Sequence, residues 1–322
     1  LPATLSVENG MLIATLPPDI PYTAEWTGNG DRTNLADPAN WACTNPYGEE
    51  ITGVPNAFTD VSFASAADFN CPVGTPFGCR SITMSGSLAS DRDWRGIDFS
   101  AVNGTIDLAG HDLQAFAAKD LTAAIVTDSV GGGTLALEVP ASVVVENANV
   151  TLTGGLKLAK VGEGVFVAAK KNQSYTGGTE VLAGTFMCGG KGSEGVYGAA
   201  DGTLTVGPGA AFDCGGYNGH AAAKLVLAGG EVVNSKSASS SNDGWFADVT
   251  LTADSFARAD KGLAFRAASG GSATLEMNGH KLTIDVDPDY TFGLYDLTVT
   301  GGGTIYGRSG GFIQLVRGTA ET

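Results

Sequence analysis

All three histidines of the chain, His111, His220 and His280, follow a glycine. Imidazole is the side chain best suited to proton transfer or metal ligation near neutral pH. Two of the three close recurring units, Ile106-Asp107-Leu108-Ala109-Gly110-His111 and Leu275-Glu276-Met277-Asn278-Gly279-His280, and Tyr217 closes a third, Phe212-Asp213-Cys214-Gly215-Gly216-Tyr217. A ring at the end of a glycine corner is expected to hydrogen-bond backbone. His111, Tyr217 and His280 are therefore expected to be structural, and the repetition places them at one equivalent position on coils far apart.

Carboxylates offer a second chemistry. Asp285, Asp287 and Asp289 alternate along a strand-like run, a spacing that puts them on one face, where Ca²⁺ collects oxygen ligands. The simpler expectation is a polar outer face with Ile284 and Val286 inward. Asp31, Asn34, Asp37 and Asn40 surround two tryptophans and form another calcium candidate. Ser90-Asp91-Arg92-Asp93-Trp94-Arg95-Gly96 is the densest charge cluster, but neighbours in a strand point to opposite faces, so surface ion pairs are expected. No nucleophile elbow, phosphate loop or dinucleotide fingerprint occurs. No catalytic residue and no cofactor is assigned beyond a structural Ca²⁺, and the chain reads as a non-enzyme.

Of five cysteines, Cys43, Cys71 and Cys79 lie in a proline-rich region and predict one extracellular bridge among three possible pairs. Cys188 and Cys214 lie about one coil apart. They are expected to be neighbouring, buried and inward, as a disulfide or as a reduced pair.

The elements that must position these groups are short strands. Among 322 residues, 47 are glycine, interleaved with Val, Leu, Ile, Thr and Phe, and period-two alternation recurs where helical periodicity does not. Repeated strand and glycine-corner units predict an all-β stack of coils of roughly 20 to 27 residues, about nine or ten coils from Asn103 onward, forming a rod about 45 Å long. Residues 1–95 concentrate proline, tryptophan and cysteine and are expected to form a loop-rich, disulfide-tied cap; 96–322 are expected to form the solenoid. Ser235 to Asn242 reads as an extruded polar loop, after which Trp245 and Phe246 are expected to re-enter the core, the alternative being a sugar-stacking patch.

A formal net charge of −16 argues against nucleic acid as a partner. No apolar run reaches the roughly 18 residues that span a bilayer. The first residues lack a basic region, so the chain is expected to be a mature or excised fragment.

Leu158-Ala159-Lys160-Val161-Gly162-Glu163-Gly164, with Asn172-Gln173-Ser174-Tyr175-Thr176-Gly177-Gly178-Thr179 and Ala183-Gly184-Thr185-Phe186, resembles the passenger-associated β-strand repeat of bacterial autotransporters and related surface proteins. Glu25-Trp26-Thr27-Gly28 with Asp37-Pro38-Ala39-Asn40-Trp41 resembles an opening module of such proteins. The resemblance implies a right-handed parallel β-helix on the bacterial cell surface. In it Tyr175 plugs a corner, Gly177 and Gly178 supply a positive-φ turn, and Lys160 and Glu163 flank a turn on the outside.

The function expected is an extracellular structural or adhesive module, partnered by copies of itself or by other domains of a larger surface protein. One alternative is a glycan-binding or glycan-cleaving β-helix, which needs carboxylates from different coils beside aromatics on one face. Another is a head-to-tail filament subunit, with Thr4 to Ile20 donating an edge strand.

Overall fold

The computed structural model describes residues 4–8, 11–15, 22–27, 29–30, 37–55, 59–62, 85–87, 92–94, 96–98, 104–116, 124–191, 194–199, 201–217, 220, 224–236, 245–267, 271–308 and 310–316. From Ser85 onward every described strand pairing is parallel. The fold is an all-β parallel solenoid.

Alternation sets which side of each strand is buried. In Thr134–Glu138 the odd residues Leu135 and Leu137 point inward, and the register carries them onto Leu158 and Lys160 of the next coil. A ten-stranded sheet built this way forms the first face, and an eight-stranded sheet forms the second. At about 4.8 Å per step the nine steps of the longer sheet span about 43 Å. The shorter sheet has seven steps, because its first strand is Val144–Asn147. About seven complete turns thus close, fewer than the nine or ten expected. On the first two faces coil length agrees with expectation, from 20 residues between Phe166 and Phe186 to 27 between Ala257 and Ile284, whereas the third face departs from it, with 19 between Trp245 and Ala264 and 29 between Leu263 and Phe292.

The third face is discontinuous. Strands Ser85–Ser87, Gly104–Asp107, Ala124–Asp128 and Thr151–Gly154 occupy it early, and Trp245–Phe246, Leu263–Phe265, Thr291–Tyr295 and Phe312–Val316 occupy it late. Each is followed directly by a first-face strand, except Phe312–Val316, which follows the last second-face strand and ends the series. Between these two groups, among the described residues, the chain crosses the third face without a strand in three successive coils.

The core is a stack of like residues, with Val145, Phe166, Phe186, Phe212, Val232, Ala257 and Ile284 in one column of the second face, all essentially buried. Each large apolar side chain so buried contributes about 1.5–3 kcal/mol.

The three recurring units share a turn, not a column. In each, the ring residue's amide donates to the carbonyl three residues earlier: His111 to Leu108 at 2.9 Å, Tyr217 to Cys214 at 3.0 Å and His280 to Met277 at 2.9 Å. The central pairs all have positive φ, namely Ala109 and Gly110, Gly215 and Gly216, Asn278 and Gly279, which is the type I′ pattern. The first turn leads from the third face to the first, the second from the second face to the third, and the last from the first face to the second. The expectation that His111 and His280 occupy equivalent places therefore fails. A I′ turn specifies how the chain bends and is usable at any corner of the prism.

The N-terminal region forms a five-stranded mixed sheet in which Tyr22–Trp26 pairs antiparallel with Trp41–Thr44 and parallel with Thr59–Ser62. Its centre is the Trp26–Trp41 pair, edge to face at 4.9 Å, over buried Ala24 and Cys43. Cys43 carries a thiol 3.6 Å from the Gly53 carbonyl and forms no disulfide. Cys71 and Cys79 lie outside the described residues, so among the described residues aromatic packing and not a disulfide staple holds this sheet. Strand Gly96–Asp98 pairs into it, whereas Ser85–Ser87 and Arg92–Trp94 pair into the solenoid. Thr4–Glu8 and Met11–Thr15 pair with each other as a hairpin, so the segment expected to donate an edge already uses one side of each strand.

Candidate functional site

The three strandless crossings are held by a buried side-chain network. Tyr175 is buried, and its hydroxyl lies 2.6 Å from Thr179 Oγ1, which donates to the Tyr197 carbonyl at 2.9 Å. Thr179 spends its proton on that carbonyl, so Tyr175 is the donor in the first bond. Tyr197 Oη lies 3.1 Å from His220 Nδ1, and His220 Nε2 lies 3.1 Å from the Tyr217 carbonyl. A carbonyl only accepts, so the proton sits on Nε2 and Nδ1 accepts from Tyr197. Burial holds the imidazole at a pKa of about 4, with the Tyr217 bond working the other way. Rings continue the column: His220 stacks on Tyr197 at 5.7 Å and on Phe246 at 5.1 Å.

Thus His220 and Tyr175 spend their polar atoms on hydrogen bonds of the interior, beside Tyr217, which packs against the core, and Phe246, which is fully buried. Gly178 has φ +85° as expected, but Gly177 serves a different need, since a Cβ there would collide with the Leu156 and Gly155 carbonyls. His280 Nδ1 lies 3.8 Å from Asp254 on the surface, and His111 is half-buried at its corner.

Lys160 overturns its expected exterior position. It is 1% exposed, and Nζ donates to the carbonyls of Gly162 at 2.6 Å, Ala183 at 2.9 Å and Val161 at 3.1 Å. Burial lowers its pKa to about 8, against the pull of Glu163 and Glu138. The lysine stem fills an inward slot while its head caps the carbonyls of two adjacent turns.

Two inter-coil clips, not foreseen from sequence, accompany the corner turns. Asp107 accepts from the Ser129 amide at 3.0 Å and hydroxyl at 2.6 Å, and Asp213 accepts from the Ser235 amide at 3.1 Å and hydroxyl at 2.5 Å. Each also accepts from its own turn, Asp107 from Ala109 at 3.0 Å and Asp213 from Gly215 at 2.8 Å. The residue before each serine completes the corner: Asp128 accepts from Gly110 at 2.8 Å, and Asn234 from Gly216 at 2.9 Å. Burial opposes ionisation of Asp128, and the amides of Gly133, Gly131, Gly110 and Val130 overcome it, so its carboxyl stays below the usual range. The shared 22-residue spacing from Asp107 to Ser129 and from Asp213 to Ser235 is the sequence signal that identifies this device.

Among the described residues the calcium candidates do not assemble: no three His, Cys, Asp or Glu side chains converge to hold a metal. Asp287 accepts from the Asp289 amide at 3.2 Å in a surface turn, and Asp285 lies outward beside Arg258 in the ladder. Asp37 caps the short Pro38–Asn40 turn through the Ala39 amide at 3.0 Å. Asp31 and Asn34 lie outside the described residues.

One outer surface does gather charges from several coils beside an aromatic. On the second face Glu231 is in register with Phe256, and Arg258 with Asp285. Arg258 Nε lies 3.1 Å from Glu231, and Nη1 lies 3.4 Å from Asp260. Burial raises the Glu231 carboxyl above its ordinary pKa, partly offset by Arg258. Phe256 is 43% exposed and walls a shallow groove of ≈ 240 Å³ floored by Gly229, Gly230 and Ala211.

Comparison with protein families, with curated proteins and with solved structures yields no match to this chain.

Proposed function

We propose that this chain is an extracellular, non-enzymatic β-solenoid stem of a larger bacterial surface protein, belonging with the autotransporter-type passengers that its repeat resembles. The observation that carries the reading is the continuity of the interior. Ten- and eight-stranded parallel ladders enclose one stacked core, and even the strandless crossings are closed by buried hydrogen bonds. Such a body transmits load and resists proteases, because no coil opens without breaking ladders to both neighbours. The test is surface exposure on cells of the organism that encodes the chain. An antibody to the purified chain is expected to label intact cells, with loss of label after external proteolysis. Antigen confined to the cytosolic fraction overturns the reading.

A second reading is favoured by the second-face groove. Phe256 offers a stacking platform for a sugar ring, and Glu231, Arg258 and Asp285 offer hydrogen bonds to its hydroxyls, which makes this face a binding surface for a neutral glycan. A glycan array is expected to show ligands that are lost on Phe256→Ala with thermal stability unchanged. An array with no Phe256-dependent signal removes this reading and leaves the stem.

A further inference from the structure

We propose that Cys188 and Cys214 are an inter-coil disulfide site, oxidised during folding and closed to redox chemistry afterwards. The pair is set by register. Thr185, Phe186 and Met187 lie against Ala211, Phe212 and Asp213, where the ladder ends; Cys188 and Cys214 are the next residue on each side, and the Cys188 carbonyl lies against Gly215. Both share the inward parity of Phe186 and Phe212, and both are buried, at 2% and 0% exposure. Stacked ladder positions are about 4.8 Å apart between Cα atoms, inside the roughly 4.4–6.8 Å that a disulfide tolerates. The surroundings agree with this proximity: both thiols bear on the same Tyr197 hydroxyl, and Asp213 bears on Cys188.

In the described state both are thiols. Burial, and then Asp213, push the Cys188 thiol well above its ordinary pKa, and a protonated, enclosed sulfur is a poor nucleophile. The folded reduced pair is therefore inert. Exchange belongs to the interval before the next coil closes over Phe212. Then one cysteine thiolate attacks a small disulfide such as oxidised glutathione, forming a mixed disulfide and releasing one glutathione thiolate. The second cysteine thiolate attacks the protein sulfur of that mixed disulfide, releasing the second glutathione. Two protons leave the protein thiols, and the two electrons given up by the cysteines reside in two reduced glutathione molecules.

The product locks a coil whose third-face crossing has no strand among the described residues. The inference is independent of where the protein resides, because the oxidant is supplied in vitro. The full chain is unfolded and reduced, then refolded with oxidised glutathione or with a reductant, and the cysteines are mapped by mass spectrometry. Expected is a dominant Cys188–Cys214 linked peptide lighter by two hydrogens. The thermal midpoint should rise by about 5 °C over the reduced form. The rise should be absent in the Cys188→Ala/Cys214→Ala variant. Folded reduced protein given the same oxidant should keep both thiols for hours. Both cysteines free after oxidative refolding, or linked chiefly to Cys43, Cys71 or Cys79, overturns the proposal. If refolding fails, the same map on protein expressed in a bacterial periplasm decides it by the same criterion.

Discussion

At the scale of single residues, the corner turns make the sharpest demands. Ala109 holds φ 51°, a conformation that costs an L-residue about 1–2 kcal/mol and that Asn278 and Gly215 adopt more cheaply in the sister turns. Ala109→Asn is therefore expected to stabilise the chain by about 0.5–1 kcal/mol, read as a higher thermal midpoint. His220 works in the opposite sense at acid pH. Its folded pKa of about 4 lies below the unfolded value near 6.5, so between these the unfolded chain binds more protons. The stability it supplies is complete above pH 6.5 and lost as pH falls to 4, a change of about 3 kcal/mol. Urea midpoints at pH 7.5, 5.5 and 4 should show that decline, and His220→Gln should remove this component. Lys160 shows where residue reading failed. The repeat resemblance places it outside a turn, whereas it shares the inward parity of Leu158, and the carbonyl cage of Val161, Gly162 and Ala183 is what lets its charge lie there. Lys160→Met keeps the volume but removes the donor to the Gly162 and Ala183 carbonyls, and should cost about 1–3 kcal/mol.

At the scale of elements, the strands were legible because a one-residue slip would expose the core column, so alternation fixes both strand and face. The face number was not legible. Leu108, Cys214 and Met277 all point inward as the recurring pattern implied, yet they lie at three different corners, because sequence records the turn and not the turning angle already accumulated. The clips were missed for a related reason: Asp107 and Ser129 become neighbours only when coil length is known to the residue. Their strength should follow burial. Asp213 is 3% exposed and Asp107 is half-buried, so Asp213→Ala should destabilise by about 2–3 kcal/mol and Asp107→Ala by about 1 kcal/mol. Equal shifts in thermal midpoint would contradict this ranking.

At the scale of the whole molecule, a solenoid distributes stability along its axis, since each coil contacts only its neighbours. The aromatic column Phe166, Phe186 and Phe212, stepping at 5.4 and 5.9 Å, lies mid-rod and is sealed by the Tyr175, Tyr197 and His220 network. At the far end, strands Leu297–Thr300, Thr304–Gly307 and Phe312–Val316 are the outermost members of their three sheets, and Tyr306, Phe312 and Leu315 are exposed by 54%, 70% and 77%. Each of these strands has a ladder on one side only among the described residues. Amide hydrogen exchange is therefore expected to be fastest in these three strands and slowest around Phe186, with a gradient between them. A uniform rate would mean that the rod opens as one unit and that the ends are not its weak point. The measurement also separates a stem from a filament subunit. Exchange in the three terminal strands that is independent of protein concentration leaves this end unpaired in solution, whereas slowing confined to them as concentration rises identifies it as the surface on which a second copy adds its strands.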